Sequence, residues 1–316
     1  MLGCGSIGRR HARNLRAHDV DVVVSDLDEA RARAVAAEIG AAACGRDAVD
    51  ADVDVVVVAT PTVHHVDDLA WALERGAAVF VEKPLGASRA DLDRALALAR
   101  QHESHRVMVG CNMRFTHGFQ VLQRHLPAVG RTVALLVDFG WWLPAWRPQQ
   151  DYRESYSAQR ALGGGIILDA IHEIDYTMVL AGPVADVQAR WVNTGALECD
   201  VEDVADLSLR HCNAVQSHLH LDYLRRTYTR SCTVIGDAGT LQWDFARGRV
   251  ELAGEPGAPA QAIGADLDLD RDVMYLDEMR HFLDALARGT APCNGIVEAA
   301  GTLDVALTAL DRGAPR

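Results

Sequence analysis

Long apolar runs are missing from this 316-residue sequence. No stretch approaches the roughly 18 consecutive apolar residues that a transmembrane helix needs. The opening segment, MLGCGSIGRRHARNLR, also lacks the apolar core of a secretory signal peptide. We therefore expect a cytoplasmic protein that makes no contact with membranes.

Basic residues and paired cysteines are also scarce. The 31 Lys and Arg side chains face 44 Asp and Glu, which gives a formal net charge of −13. Such a field repels phosphate backbones, so a nucleic-acid partner is not expected. The seven cysteines are scattered without a C-x-x-C pair, which favours reduced thiols. Because no Cys, Asp or Glu cluster has ligand spacing, we expect no metal site.

What the chain does contain is enough apolar material, 49% of its residues, for two ordinary domains. Over residues 1–115, short β-rich runs alternate with amphipathic helical stretches, a pattern typical of a parallel sheet covered by helices on both faces. We therefore predict an α/β fold whose N-terminal domain, 1–115, is a doubly wound Rossmann sheet. The predicted strands are Asp21–Ser25, Asp54–Ala59, Ala78–Val81 and Arg106–Val109.

The pattern of residue types along the sequence changes after residue 115. A strand-like run is followed by a segment rich in tryptophan, tyrosine and proline, residues 140–160, which we call the aromatic loop. Later runs with period-2 alternation indicate a C-terminal α+β domain, 116–316, with a mostly antiparallel open sheet. Its predicted strands are Thr132–Phe139, Val187–Val192, Ala205–Arg210, Val215–Tyr223, Cys232–Ile235 and Gly239–Trp243.

The segment from Gly3 to Gly8, GCGSIG, matches the G-x-G-x-x-G pattern and runs into a helix. Such glycines permit a tight turn and let the backbone approach a pyrophosphate at the helix N-terminus. Asp26 follows the next valine strand, where a carboxylate can bind ribose hydroxyls. Its neighbour is Asp28 rather than an arginine, which favours NAD over NADP. A structural turn and a helix-capping aspartate are the alternatives.

One feature departs from this motif. The pattern normally follows a central β-strand, yet only Met1 and Leu2 precede Gly3. We therefore expect the native chain to start upstream of Met1 and to supply the rest of that strand.

Two further turns follow predicted strands. Thr60, Pro61 and His64 come after one valine run, and Glu82 and Lys83 come after the next. Ligands of parallel sheets bind at the carboxyl ends of strands, so both turns should face the same crevice as the glycines. A lysine there can orient a substrate hydroxyl and relay its proton. A solvated histidine and a surface lysine are the alternatives.

The third signal is the glycine triplet 163–165 and the polar run that follows it. Asp169 and His172 are three residues apart, which predicts that they share one face of one helix. A histidine exchanges protons near neutral pH, and a neighbouring carboxylate can hold its tautomer. The aromatic loop precedes this helix and can cover a sugar, with an oligomer contact as the alternative.

These motifs together resemble the Gfo/Idh/MocA family of NAD(P)-dependent sugar and inositol oxidoreductases. The matching segments are GCGSIG at 3–8, ATPTVHH at 59–65, VEKPL at 81–85 and GGGIILDAIHEID at 163–175. The resemblance implies that Lys83 is the catalytic lysine, often before a cis proline, and that His172 is the acid/base. Many members place the aspartate four residues before the histidine, so Asp169 departs from the pattern.

The resemblance further implies an NAD-dependent dehydrogenase that acts on a small sugar-like substrate. It also implies a homo-oligomer, a dimer or tetramer, held together by the open sheet. Residues predicted to bind the cofactor are Gly3, Gly5, Ser6, Ile7, Gly8, Asp26, Thr60, Pro61, His64, Glu82 and Lys83. Residues predicted to bind substrate are Lys83, Arg114, Tyr152, Tyr156, Arg160, Asp169 and His172, of which Lys83, Asp169 and His172 are also predicted to be catalytic. An NAD-dependent glycosidase and a non-catalytic dinucleotide sensor are the alternative functions.

Overall fold

The computed structural model describes residues 1–49, 53–102 and 104–313. The chain forms two compact units. The first consists of Met1–Cys111 with Tyr275–Leu303, and the second of Asn112–Met274 with Asp304–Arg316. Each unit contains its own β-sheet.

The first unit alternates strands and helices as predicted. Its elements are helix α1 (Ser6–Ala17), strand β1 (Val23–Val24), helix α2 (Glu29–Ile39), strand β2 (Ala42–Ala43), strand β3 (Val55–Val58), helix α3 (His65–Glu74), strand β4 (Ala78–Val81), helix α4 (Arg89–Gln101) and strand β5 (Val107–Val109). Helix α2 begins where the Asp28 carboxylate accepts hydrogen bonds from two backbone N–H groups, and it ends at Gly40 in the left-handed region. The Ser88 hydroxyl caps α4 in the same way. These are the residue types that favour helix ends, which is why the boundaries were predictable.

The strands of this unit are parallel. Strand β1 pairs with β2, and β3, β4 and β5 pair in that order. Leu2 bridges Ser25 on one side and Val58 on the other, which joins the two groups into the strand order of a Rossmann sheet. The predicted parallel sheet is therefore confirmed. Met1 and Leu2 occupy the position of the first strand, while the upstream residues expected from the motif remain a prediction.

The second unit contains an eight-stranded sheet. Its elements are helix α5 (His117–His125), strand β6 (Thr132–Gly140), helix α6 (Ile166–Asp169), helix α7 (Ile171–Ala181) and strands β7 (Val184–Val192), β8 (Val204–His211), β9 (Gln216–Asp222), β10 (Thr229–Gly236), β11 (Thr240–Asp244), β12 (Arg249–Ala253) and β13 (Gln261–Gly264). The strand order is β13-β12-β11-β10-β6-β9-β8-β7. All pairs are antiparallel except β6 with β9, so the predicted, mostly antiparallel sheet is confirmed.

Strands β12 and β13 were not predicted from the sequence. Their runs of only five and four residues flank a loop of glycine, proline and alanine. Both strands pair at the edge of the sheet next to β11.

The last two helices, α8 (Val273–Ala287) and α9 (Ile296–Gly313), are divided between the units. In α8, Phe282 packs edge-on against Phe80 of β4, and the Glu278 carboxylate accepts a hydrogen bond from the Cys111 N–H. Most of α8 and the start of α9 therefore belong to the first unit, whereas the sequence-based division assigned all of 116–316 to the second domain. In the part of the chain that the structure describes, no helix combines the length and apolar character needed to cross a membrane.

Candidate active site

The glycine turn lies directly after Leu2 in the first unit. Gly3 has φ +87°, and a Cβ on it would lie 2.4 Å from the Ala59 carbonyl oxygen. Gly8 on α1 packs against Gly3 so closely that its Cβ would lie 2.0 Å from the Gly3 oxygen. These two approaches require glycine and place the N-terminus of α1 at the carboxyl edge of the sheet.

The turn leaves room for an anionic ligand at Gly5. No described atom lies within 4 Å of a Cβ built on Gly5. Gly5 is also the N-cap residue of α1, and no side chain of the described residues caps this helix. The first backbone N–H groups of a helix have no partners within it, so those of Ser6 and Ile7 suit a pyrophosphate. The residues present therefore fit a dinucleotide.

Asp26 lies beside the glycine turn, as the sequence predicted. One of its carboxylate oxygens accepts a hydrogen bond of 2.7 Å from the Cys4 N–H, and the other accepts one from the Asp28 N–H. The expectation that no arginine is nearby was wrong. Arg31, in the first turn of α2, lies 3.5 Å from Asp26 and 3.3 Å from Asp28, because residues three apart at a helix start lie side by side. The two carboxylates engage that guanidinium.

The turn after β3 carries two adjacent histidines that differ in burial. His64 and Pro61 are exposed, whereas His65 is buried. The ring nitrogens of His65 lie 2.7 Å from the Pro84 oxygen and 2.8 Å from the Thr60 oxygen. Burial lowers the pKa of His65, although both carbonyl groups oppose that shift. This imidazole thus connects the turns after β3 and β4.

Glu82 and Lys83 follow β4, and the Lys83–Pro84 peptide bond is cis. The Glu82 carboxylate accepts a hydrogen bond from the Lys83 N–H and contacts Nε2 of His11 at 2.5 Å. Burial alone would raise the pKa of Glu82, but the hydrogen bond and charge of His11, with Lys83, hold it below its usual value. Glu82 is therefore an anion that fixes the backbone of Lys83.

His11 was not singled out from the sequence. It lies on the buried face of α1, is 0% exposed, and joins the glycine helix to the Lys83 turn through Glu82. Its position three residues after Gly8 was the only available signal, because a histidine on a helix does not reveal a partner 71 positions away.

In the second unit, the glycine triplet opens two helices rather than one. Helix α6 ends at Asp169, Ala170 has the non-helical angles φ −89° and ψ 28°, and α7 starts at Ile171. The prediction that Asp169 and His172 lie on one face of a continuous helix was therefore wrong. Both side chains are nonetheless buried, with residue exposures of 5% and 8%.

Two tyrosine hydroxyls hold the Asp169 carboxylate. Tyr156 of the aromatic loop donates to one oxygen at 2.6 Å, and Tyr223 at the end of β9 donates to the other at 3.0 Å. Burial, and then the Asp169 charge, raise the pKa of Tyr223 well above its usual value, so this hydroxyl stays protonated. Tyr223 was missed because its 54-residue separation from Asp169 carries no sequence signal.

Charged residues of α7 form buried ion pairs. Asp175 accepts two hydrogen bonds from Arg114, at 2.7 and 2.5 Å, and Glu173 lies 2.8 Å from Arg230 of β10. Arg114, predicted to bind substrate, is thus held by a carboxylate. These pairs fix α7, and with it His172, against the rest of the unit.

Glu202 lies against the glycine triplet. One carboxylate oxygen accepts a hydrogen bond from the Ile167 N–H, and a Cβ on Gly165, where φ is +114°, would lie 2.3 Å from that oxygen. Its other oxygen has no hydrogen-bond partner among the described residues. Burial raises the pKa of Glu202 to about 7.

Tyr152 and Arg160 anchor the aromatic loop to the segment around residues 198–200. The Tyr152 hydroxyl accepts a hydrogen bond from the Glu198 N–H, and the Arg160 guanidinium donates to the Asp200 carbonyl. Neither contact excludes substrate binding, which stays a prediction.

All seven cysteines lie in the described ranges and are free thiols. No group of three or more His, Cys, Asp or Glu side chains is arranged around a possible metal position in those ranges.

Comparison with known proteins agrees with this combination of a dinucleotide fold and a second, sheet-based unit. A family model described as "Oxidoreductase family, NAD-binding Rossmann fold" matches residues 1–111, and a model of the Gfo/Idh/MocA C-terminal domain matches residues 127–242. The chain belongs to the Gfo/Idh/MocA family of oxidoreductases. Its cofactor is NAD, and the resemblance inferred from the motifs is confirmed.

Individual relatives cover nearly the whole chain. Inositol 2-dehydrogenase of Rhizobium meliloti is 34% identical over 304 residues, which is 92% of this chain and 88% of the relative. UDP-N-acetylglucosamine 3-dehydrogenase of Acidithiobacillus ferrooxidans is 26% identical over 298 residues, with coverages of 91% and 88%. A solved levoglucosan dehydrogenase in complex with NADH and levoglucosan superimposes with a TM-score of 0.88 at 17% identity and coverages of 99% and 95%, a likeness that shows the fold.

Proposed function

We propose that this protein is an NAD-dependent dehydrogenase that oxidises a CH–OH group of a sugar, sugar derivative or cyclitol, or reduces the corresponding carbonyl. Inositol, a nucleotide sugar and levoglucosan are the compounds named for its relatives, and all of them carry secondary hydroxyls. The observation that carries the proposal is the Lys83 turn. Its backbone is fixed by Glu82 at the carboxyl end of β4, on the same sheet edge as the glycine turn.

When bound, NAD accepts the hydride, and the protein supplies position and proton transfer. The glycine turn, with Ser6 and Ile7, binds the pyrophosphate, and Asp26 binds the ribose hydroxyls. Thr60, Pro61 and His64 border the cofactor at the next strand end. These assignments rest on the open space at Gly5 and on the fold.

Lys83 and His172 together promote removal of the proton from the substrate hydroxyl. The ammonium of Lys83 hydrogen-bonds the substrate oxygen and stabilises the negative charge that develops there as the proton leaves. The His172 imidazole takes up the proton as the carbonyl forms, a step that contributes about 10²–10⁴-fold. Asp169, held by Tyr156 and Tyr223, provides an oriented acceptor for a second substrate hydroxyl.

A panel of cyclitols, monosaccharides and nucleotide sugars tests this function through the absorbance of NADH. We expect net NADH formation with at least one compound, and His172→Ala should lower kcat by a hundredfold or more. The matched control is His218→Ala, which changes an exposed histidine of β9 and should leave kcat unchanged. Cleavage of a glycoside without net NADH formation, or NAD binding without turnover of any compound, would contradict the proposal.

The family resemblance also leads us to expect an oligomer and a cytoplasmic location. We propose a cytoplasmic homo-oligomer, a dimer or tetramer. Its support is the large sheet, on which Leu136 of β6 is 47% exposed and Val133 is 42% exposed. Light scattering coupled to size-exclusion chromatography should give two or four times the chain mass of 34.3 kDa, and a monomer would contradict this part.

A further inference from the structure

The aromatic loop carries three arginines, and the structure divides them into two kinds. Arg153 donates to Asp151 at 2.6 Å and lies 3.3 Å from Glu198. Arg160 donates from its backbone to the Asp200 carboxylate at 2.7 Å and from its guanidinium to the Asp200 carbonyl. Both guanidinium groups are thus engaged by neighbouring carboxylate or carbonyl groups.

Arg147 differs from both. Its side chain makes neither an ion pair nor a hydrogen bond with any residue that the structure describes, and its guanidinium faces an aromatic ring. The guanidinium carbon lies 5.6 Å from the centre of the Tyr156 ring. Stacking of this kind leaves the N–H donors, which lie in the guanidinium plane, able to bind an oxyanion.

Tyr156 connects Arg147 to the candidate active site. The ring that the guanidinium faces belongs to the tyrosine whose hydroxyl donates to Asp169. Arg147 also lines a shallow surface pocket together with Leu143, Trp146, Gln150, Tyr152 and Ser155. This lining combines aromatic faces with an amide and a hydroxyl, which are groups that can contact a sugar.

Two more arginines of this unit stack on aromatic rings. Arg226 lies 3.4 Å from the centre of the Trp142 ring, and Arg271 lies 4.7 Å from that of Tyr228, whose ring packs against Trp141. Neither has a carboxylate partner within residues 1–49, 53–102 or 104–313.

We propose that the substrate of this enzyme is an anionic sugar derivative, and that Arg147 binds its phosphate or carboxylate group. The inference rests on the proposed function, because it assigns a substrate class to the same site. Arginine matches both oxyanions through two parallel hydrogen bonds, which a neutral cyclitol cannot accept with equal strength.

Calorimetric titration of the NADH-loaded enzyme tests the assignment. The probes are glucose and myo-inositol as neutral compounds, and glucose 1-phosphate, UDP-glucose and glucuronate as anions. At least one anion should bind tenfold or more tightly than glucose. Arg147→Gln should remove that preference while the affinity for glucose changes less than twofold. Stronger binding of glucuronate than of glucose 1-phosphate assigns a carboxylate substrate, and the reverse order assigns a phosphate.

The matched control is Arg153→Gln, because Arg153 lies on the same loop but is neutralised by two carboxylates; this variant should keep the preference. The assignment is overturned if no anion binds more tightly than glucose, or if Arg147→Gln keeps the preference. Net NADH formation from a neutral sugar without any preference for anions would overturn this inference and leave the proposed function intact.

Discussion

In the first unit, each candidate residue follows a strand within a few positions, whereas in the second unit the candidate residues come from segments far apart in the chain. Gly3, Thr60 and Lys83 come after three neighbouring strand positions of one parallel sheet. Asp169, by contrast, depends on hydroxyls 13 and 54 residues away. The first arrangement is set by backbone geometry and the second by side-chain contacts. Substitutions should therefore affect the two units differently.

The largest effect is expected at the glycine turn, where backbone geometry leaves no room for change. Gly8→Ala places a methyl group 2.0 Å from the Gly3 oxygen, so the variant should lose stability and bind NADH at least a hundredfold more weakly. Gly5→Ala should keep wild-type stability, because its Cβ meets no described atom, and lose affinity alone. Fluorescence titration with NADH and thermal unfolding separate the two outcomes. Equal losses of stability in both variants would contradict the account.

The next largest effect is expected from a substitution that removes a side-chain contact of the second unit. Glu173→Ala leaves the buried Arg230 guanidinium without its 2.8 Å partner, which should lower the free energy of unfolding by about 3–5 kcal/mol. Urea denaturation measures the change. The exposed Glu198 provides the control, and Glu198→Ala should stay within about 0.5 kcal/mol of wild type. A similarly small change in Glu173→Ala would show that the ion pair is not needed to hold α7.

A smaller, pH-dependent effect is expected at Glu202. Its pKa is raised from 4.5 to about 7 by burial, so the folded state holds a proton that the unfolded state releases. The stability due to this group is complete below pH 4.5 and is lost as the pH rises towards 7. Glu202→Gln should therefore be more stable than wild type by about 3 kcal/mol at pH 8 and by less than about 1 kcal/mol at pH 5.

Urea denaturation at the two pH values measures this difference, with the exposed Glu198→Gln as a control whose effect should not change with pH. A Glu202→Gln variant that is less stable than wild type at pH 8 would contradict the raised pKa of Glu202 and would show that a partner stabilises its ionised carboxylate.

The same contrast explains how much of the molecule could be predicted from sequence. Asp26 and Lys83 were located because a residue after a valine strand must lie at the edge of the sheet, wherever the rest of the chain goes. His11 was not singled out, and for His65 a solvated position was considered, since a single residue type does not reveal whether it is buried. Their partners, Glu82 and the carbonyls of Thr60 and Pro84, are fixed only by the fold.

In the second unit, periodicity gave six of the eight strands but not the contacts between them. The helix break at Ala170 has no proline or glycine to mark it, so Asp169 and His172 were placed on one helix. Arg114 and Arg160 resembled substrate ligands, yet Asp175 and Asp200 engage them. Arg147 lies in the same loop and carried no distinguishing signal until those pairs were known.

The central claim is that Lys83 serves the chemistry rather than the binding of the cofactor, and Lys83→Ala tests it directly. For this variant we predict a kcat at least a hundredfold below wild type, with a dissociation constant for NADH that changes less than threefold. Wild-type turnover in the variant, or loss of NADH binding that accounts for the whole drop in activity, would contradict the account.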